Sequence, residues 1–185
     1  MSGWTRQDGT WRATAADAEH MRALGHHLAA VLRPGDVVVL DGPLGAGKTT
    51  LTQGIGEALG VRGPVTSPTF VIARQHPGPR VGLVHVDAYR LGGSVEVDDL
   101  DLEADLAGCV TVVEWGVGKV EGLAPDRLEV VIERPTGGVD GQPGGPAGLA
   151  GSPAEAAEDA SAGVRTVRVR GVGTRWADLE LPAPL

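Results

Sequence analysis

A glycine-rich segment carries the clearest chemistry in the sequence. Residues 42–50 read GPLGAGKTT and match the phosphate-binding pattern GxxxxGK[ST]. Glycines at 42, 45 and 47 allow the backbone to curl so that successive N–H groups point at one anion. Lys48 would reach the β- and γ-phosphates of a nucleotide, and the Thr49 hydroxyl would bind Mg²⁺. The predicted nucleotide contacts in this loop are Gly42, Pro43, Leu44, Gly45, Ala46, Gly47, Lys48, Thr49 and Thr50.

Two carboxylates follow apolar runs, where an acid serving such a loop is expected. Asp87 comes after LVHV at 83–86, and Glu114 comes after VTVV at 110–113. We expect Asp87 to act on the Mg²⁺ side, directly or through water, and Glu114 to orient or deprotonate the water that attacks the γ-phosphate. The reverse assignment stays open, and a strand-end acid can also cap or solvate a turn. The predicted catalytic residues are Lys48, Asp87 and Glu114, and the predicted metal ligands are Thr49, Asp87 and Glu114.

Hydroxyl groups lie between the loop and the first of these acids. Residues 65–70 read VTSPTF, so Thr66, Ser67 and Thr69 could reach the γ-phosphate and the metal as a switch-like segment. An ordinary turn around Pro68 is the other interpretation. Thr69 is the member of this segment that we count among the predicted nucleotide contacts.

Adenine is the base that the sequence favours. GTPases of the switch type carry an [NT]KxD segment, and neither Lys48 nor Lys119 lies in one. Small-molecule kinases with this loop usually close an arginine-rich lid over the phosphates, whereas the arginines here are mostly scattered. A stand-alone kinase and a nucleotide sensor that binds without hydrolysis therefore remain as alternatives to an ATPase.

The elements that must position these residues predict an α/β fold of the P-loop NTPase type, with three layers and a mainly parallel central sheet. The β-branched run at 37–40 predicts a buried strand directly before the loop, and residues 49–59 predict the helix after it. Residues 14–32 predict an amphipathic helix that opens with Thr14 and Asp17 as a capping box. Further strands are predicted at 70–73, 82–86, 110–114 and 128–132, an outer strand at 164–170, and a short helix within 94–106.

Residues 137–163 interrupt this pattern. Gly, Pro and Ala make up 18 of these 27 residues, and none is aromatic, which predicts a disordered insertion. Because strand-like alternation resumes at 164, the insertion interrupts one domain that spans residues 1–185.

Charge and composition limit the kinds of binding partner and the cellular compartment that the sequence predicts. With 24 acidic and 16 basic residues the net charge is −8, the wrong sign for strong direct binding of nucleic acid. No apolar run approaches the roughly 20 residues needed to cross a bilayer. Residues 1–10 lack the order of a secretory signal, and Cys109 is the single cysteine, so we expect a cytoplasmic protein.

Four motifs in order resemble the bacterial TsaE ATPases. They are GPLGAGKTTLTQG at the loop, SPTF at 67–70, HVDAYRL at 85–91 and VEW at 113–115, and the similarity runs from about 12 to 135. The resemblance implies a role in making threonylcarbamoyladenosine, the modified base beside the anticodon of certain tRNAs. It also implies docking on a complex of TsaD, which carries the transferase site, with TsaB, and ATP hydrolysis that permits repeated turnover.

Residue by residue, the resemblance implies that Asp87 acts on the metal side and that Thr69 has a switch-like role. It also implies that Glu114 is the late glutamate of the family. It implies that Trp115 stacks near the nucleotide, and that Tyr89 and Arg90 lie where the partner docks, with structural packing as an equal interpretation for these and for His85. Many relatives carry an acid where Pro43 stands. Pro43 removes one loop N–H and that possible acid.

Overall fold

One mixed sheet of eight strands organises the described part of the chain. The computed structural model describes residues 3–68, 71–90, 108–122, 124–134 and 163–182. Within these ranges two α-helices accompany the sheet: α1 is Ala18–Ala29 and α2 is Lys48–Leu59. In chain order the strands are β1 (Thr5–Gln7), β2 (Thr10–Ala15), β3 (Val37–Asp41), β4 (Ala73–His76), β5 (Gly82–Asp87), β6 (Cys109–Glu114), β7 (Arg127–Glu133) and β8 (Arg165–Val172).

The strands lie in the order β1-β2-β8-β7-β3-β6-β5-β4. The four central strands, β7, β3, β6 and β5, are parallel to one another, and antiparallel strands flank them on both sides. The predicted α/β fold class is confirmed, with the parallel strands at its centre. Since the carboxyl ends of parallel strands meet at one edge of a sheet, the segments that follow β3, β5, β6 and β7 lie close together.

The central strand β3 is buried on both of its faces. Val38 and Leu40 join the core beneath the two helices, whereas Val37 and Val39 pack on the opposite face. This two-sided burial explains why β3 reads as a continuous run of valine and leucine. The strands predicted at 82–86, 110–114 and 128–132 are confirmed within one or two residues at each end.

The two helices cross at unusually close range. A Cβ atom on Gly25 of α1 would lie 2.4 Å from the carbonyl oxygen of Leu51, and one on Gly54 of α2 would lie 2.2 Å from that of Arg22. Backbone therefore packs on backbone at the crossing. This contact fixes α2, whose first residue is Lys48, against the sheet.

The predicted start of the first helix was wrong. Residues 10–15, with Thr14 among them, form β2 and pair with β8, because Trp11, Ala13 and Ala15 alternate with exposed or half-buried residues and reach the core. The helix begins after Asp17, whose side chain accepts a hydrogen bond of 2.9 Å from the backbone N–H of His20. Asp17 is thus the N-cap, and Thr14 is not.

Two predicted strands differ from the structure. The strand placed at 70–73 is β4 at Ala73–His76, because the N–H groups of Val71 and Ile72 bond to the carbonyl of Pro68 and turn the chain there. The strand placed at 164–170 is present as β8, but β2 and β1 lie outside it, so it is an inner strand.

Several expectations fall outside the described residues. The short helix within 94–106 lies there, as does the insertion at 137–163 except for Gly163. The single domain over 1–185 stays a prediction. Among the described residues, no helix is both long enough and apolar enough to cross a membrane.

Candidate nucleotide site

The glycine-rich loop joins the end of β3 to the start of α2. Its glycines adopt backbone angles that other residues rarely take: φ is 146° at Gly42, 71° at Gly45 and 108° at Gly47. A Cβ atom on Gly42 would lie 2.5 Å from the carbonyl oxygen of Ile132, so the loop also passes close to β7. The turn and its packing therefore both require glycine, as the sequence predicts.

The remaining loop residues have distinct positions. The backbone N–H of Ala46, which is buried, donates to the carbonyl of Pro43 over 3.1 Å, so Pro43 closes the turn as an acceptor. Leu44 lies at the tip with 76% of its surface exposed. Thr49 and Thr50 lie in the first turn of α2 and are half-buried.

Lys48 is buried beneath this loop. Its Nζ donates to the carbonyl oxygens of Gly42 at 2.8 Å and Pro43 at 3.1 Å, and lies 3.8 Å from the ring centroid of Trp115. Burial lowers the pKa of Lys48, against the opposing effect of nearby carboxylates. The positive charge is thus held within the loop, between its carbonyls and an aromatic face. Those carboxylates belong to Glu114, Asp41 and Asp87.

The two predicted acids lie side by side at the carboxyl edge of the sheet. The parallel register pairs Asp87 at the end of β5 with Glu114 at the end of β6. Both are buried, with exposed fractions of 8% and 4%. The structure therefore brings Asp87, Glu114, Lys48 and Thr49 together at one end of β3.

Glu114 is held by two side chains at a single oxygen. Its Oε1 accepts from the Thr49 hydroxyl over 2.9 Å and lies 2.8 Å from Nε2 of His85. A carboxylate only accepts hydrogen bonds, so Nε2 of His85 carries the hydrogen. His85 is fully buried, and its Nδ1 has no hydrogen-bond partner within the described residues. His85 therefore orients Glu114, a role that the sequence motif did not assign to it.

Asp87 has a different environment. Its Oδ1 accepts from the backbone N–H of Tyr89 over 3.0 Å, and its own N–H donates to the carbonyl of Ile72. One of its oxygens thus caps the short 3₁₀ turn Ala88–Arg90, which is the alternative role that the sequence left open for a strand-end acid. This contact occupies Oδ1, and the capping role is compatible with a second role for Oδ2.

The ring of Trp115 lies over the loop lysine, Lys48, and its stacking near a nucleotide stays a prediction. It has a φ of 61°, and its N–H donates to the carbonyl of Leu40. Its ring packs against that of Tyr89 with the centroids 5.3 Å apart and the planes tilted by 58°. Tyr89 is 66% exposed, so the aromatic pair runs from Lys48 to the surface.

The switch-like segment is only partly described. Thr66 accepts a hydrogen bond of 2.8 Å from the guanidinium of Arg74, while Thr69 lies outside the described residues. Its predicted contact with the nucleotide therefore stays a prediction.

A glycine-rich loop between a buried parallel strand and a helix, with acids at the ends of neighbouring strands, defines a P-loop protein of the α/β class. The family model for the threonylcarbamoyl adenosine biosynthesis protein TsaE matches residues 15–138. The chain belongs to the TsaE family.

Individual relatives agree with this family assignment. The chain is 52% identical to the tRNA threonylcarbamoyladenosine biosynthesis protein TsaE of Streptomyces coelicolor over 164 residues, which cover 87% of this chain and 97% of that protein. It is 41% identical over 125 residues to the protein of that name from Bacillus subtilis, covering 67% and 77%. Among solved structures, the crystal structure of Bacillus YdiB superimposes with a TM-score of 0.63 at 29% identity and covers 93% of this chain and 92% of that one.

Proposed function

We propose that this protein is the ATPase component of the machinery that makes threonylcarbamoyladenosine in tRNA. In this proposal it binds and hydrolyses ATP on a complex of TsaB with TsaD and so supports repeated turnover. The observation that carries the proposal is the convergence of Lys48, Thr49 and Glu114 at the start of α2, inside the region matched by the family.

The loop residues suit ATP and Mg²⁺. Gly42, Gly45 and Gly47 take the backbone angles of an anion-binding turn, and Lys48 supplies charge from within the loop. When bound, Mg²⁺ would neutralise charge on the β- and γ-phosphates. In the described ranges, His, Cys, Asp and Glu form no cluster of three that could hold a metal, so we expect phosphate oxygens and water to complete its coordination.

The hydroxyl of Thr49 supports one division of labour between the acids. In P-loop proteins this hydroxyl is a Mg²⁺ ligand, and here it contacts Glu114 rather than Asp87. We therefore assign Glu114 to the metal side, which is the reverse of the assignment that the sequence favoured. Asp87, with Oδ1 bound to the Tyr89 N–H, is left to orient the attacking water through Oδ2.

Surface features support dependence on protein partners. Exposed Leu44 and Tyr89 lie on segments that follow β3 and β5, at the same edge of the sheet as the loop. An apolar rim beside a catalytic site is suited to contact with another protein. The net charge of −8 favours action on a protein complex over direct binding of tRNA, and a role in tRNA modification fits a cytoplasmic protein.

The test is Mg²⁺-dependent ATP hydrolysis by the purified chain, alone and with TsaB and TsaD. We expect the complex to stimulate hydrolysis, and we expect Lys48→Ala and Glu114→Ala to abolish it. Glu180→Ala, which removes an acid paired with Arg6 on the surface, is the matched control and should retain full activity. Hydrolysis that ignores the partners, or phosphate transfer to a small-molecule acceptor, would contradict the proposal and favour a kinase. Nucleotide binding without turnover under all conditions would favour a sensor.

A further inference from the structure

A guanidinium group lies against the phosphate loop on the side away from the acids. A Cβ atom on Gly45 would lie 3.6 Å from Nη2 of Arg134, 3.7 Å from Cζ and 3.8 Å from Nη1. Three nearly equal distances mean that the face of the guanidinium covers this position. Arg134 is therefore a second cation beside the loop, in addition to Lys48, and the sequence patterns did not single it out.

The sheet order explains how Arg134 reaches the loop. Arg134 directly follows Glu133, the last residue of β7, and β7 pairs with β3 in parallel. The acids come from β6 and β5, on the opposite side of β3. The loop thus lies between Glu114 on one flank and Arg134 on the other.

The positions of Glu114 and Arg134 on opposite flanks indicate the direction in which a nucleotide would lie across the loop. Thr49 and Glu114 mark the flank of the metal and the γ-phosphate, so the phosphate next to the ribose would lie toward β7. A guanidinium is suited to phosphate because its planar fork donates two hydrogen bonds and carries a permanent charge. It would also offset the carboxylates that surround Lys48.

We propose that Arg134 is a further nucleotide-binding residue, whose guanidinium contacts the phosphate nearest the ribose. The inference rests on the proposed binding of ATP at this loop and adds a residue to it. Because ATP and ADP share that phosphate, Arg134 stabilises both complexes to the same extent. It contributes affinity and leaves the chemical step to Lys48, Glu114 and Asp87.

Calorimetric titration of the full chain with Mg·ATP, Mg·ADP and inorganic tripolyphosphate tests the proposal. We expect Arg134→Gln to weaken all three by a similar factor, roughly 10- to 100-fold, the usual cost of losing a hydrogen bond to a charged group. Arg134→Lys should recover part of the affinity. Arg170→Gln removes an equal charge from a residue paired with Glu129 near the other end of β7, and it should bind like the wild type. Thermal unfolding without nucleotide shows whether each variant is folded.

Four results would overturn the inference. Unchanged affinities in Arg134→Gln would show no contact, and a lower kcat at unchanged affinity would place Arg134 at the reaction itself. Weaker binding of ATP and ADP with unchanged binding of tripolyphosphate would place the contact at the base or sugar. A wild-type chain that binds none of the three ligands would refute this inference together with the proposed function. If the wild type binds nucleotide but the partner complex never stimulates hydrolysis, only the proposed function fails.

Discussion

The hydrogen bond between His85 and Glu114 allows a quantitative prediction. Both side chains are buried, with 0% and 5% of their surfaces exposed, and the distance between Nε2 and Oε1 is 2.8 Å. A buried hydrogen bond to a charged group contributes about 1.5–3 kcal/mol. His85→Leu removes the donor, so we expect it to lower the free energy of unfolding by at least that amount. His85→Gln can place an amide N–H near the position of Nε2 and should recover part of the loss.

The coupling between the two residues is measured by a double-mutant cycle. The cycle uses His85→Leu, Glu114→Gln and the double variant, with urea unfolding followed by far-UV circular dichroism. We expect a coupling energy of about 2 kcal/mol, because the residues share one short contact inside the protein. A coupling below about 0.5 kcal/mol would refute the interpretation, since independent sites differ from additivity by no more than that.

Activity gives a second readout that simple destabilisation would not change. If His85 orients Glu114 on the metal side, His85→Leu should lower kcat about 10- to 100-fold, as is typical for residues that hold a metal ligand. The Mg²⁺ concentration for half-maximal rate should rise, while KM for ATP changes little. Equal kcat values for His85→Leu and His85→Gln, measured where both are fully folded, would contradict a positioning role.

Three further predictions concern the aromatic cover, the pH dependence and the helix crossing. Nucleotide binding should alter tryptophan fluorescence emission because Lys48 lies 3.8 Å from the Trp115 ring centroid. Trp115→Phe should abolish this change in emission. A change that persists in the variant would come from another tryptophan. Burial, followed by the charges of His85 and Arg74, lowers the pKa of His76 from its ordinary value of 6.5. His76 in the unfolded chain therefore binds a proton more readily than in the folded chain below pH 6.5, so the free energy of unfolding should fall from pH 7 to pH 5. The fall, measured by urea titrations, should be less steep in His76→Gln. Equal slopes of unfolding free energy against pH in the two proteins would contradict this cause. Gly54→Ala should cost about 3 kcal/mol of stability in urea titrations because its Cβ atom would lie 2.2 Å from a backbone oxygen. Gly122→Ala, whose Cβ atom would have nothing within 4 Å, should leave the stability unchanged. Equal losses in the two variants would show that the crossing of α1 and α2 can relax.

Local patterns were sufficient to predict the loop and the central strands. The spacing of glycine, lysine and threonine specifies the turn at residues 42–49, and buried parallel strands require continuous β-branched runs such as 37–40. The position of Glu114 at the end of a buried strand was predictable because it follows such a run directly. These features depend on residues close in sequence.

Features that depend on distant pairing were not predictable. Strand β2 has only alanine and tryptophan on its buried face, and its partner β8 lies about 150 residues later. The role of His85 depends on the parallel register that brings β5 beside β6. The contact of Thr49 with Glu114, on which the proposed roles of the two acids rest, joins residues 65 positions apart. The position of Arg134 depends on the pairing of β7 with β3.

The place of β8 in the sheet has a consequence for synthesis on the ribosome. β8 lies between β2 and β7 and pairs with both, so these two strands lack a partner until the residues after 164 have been synthesised. At about 5–20 residues per second, the roughly 150 residues between β2 and β8 take on the order of 10–30 s to translate. During that interval one edge of β2 lacks its partner β8 in the nascent chain, and so does one edge of β7 once that strand has been synthesised. The segment synthesised late therefore joins β1 and β2 to the rest of the sheet. A premature stop before residue 165 would leave β7, the strand beside the phosphate loop, with an open edge.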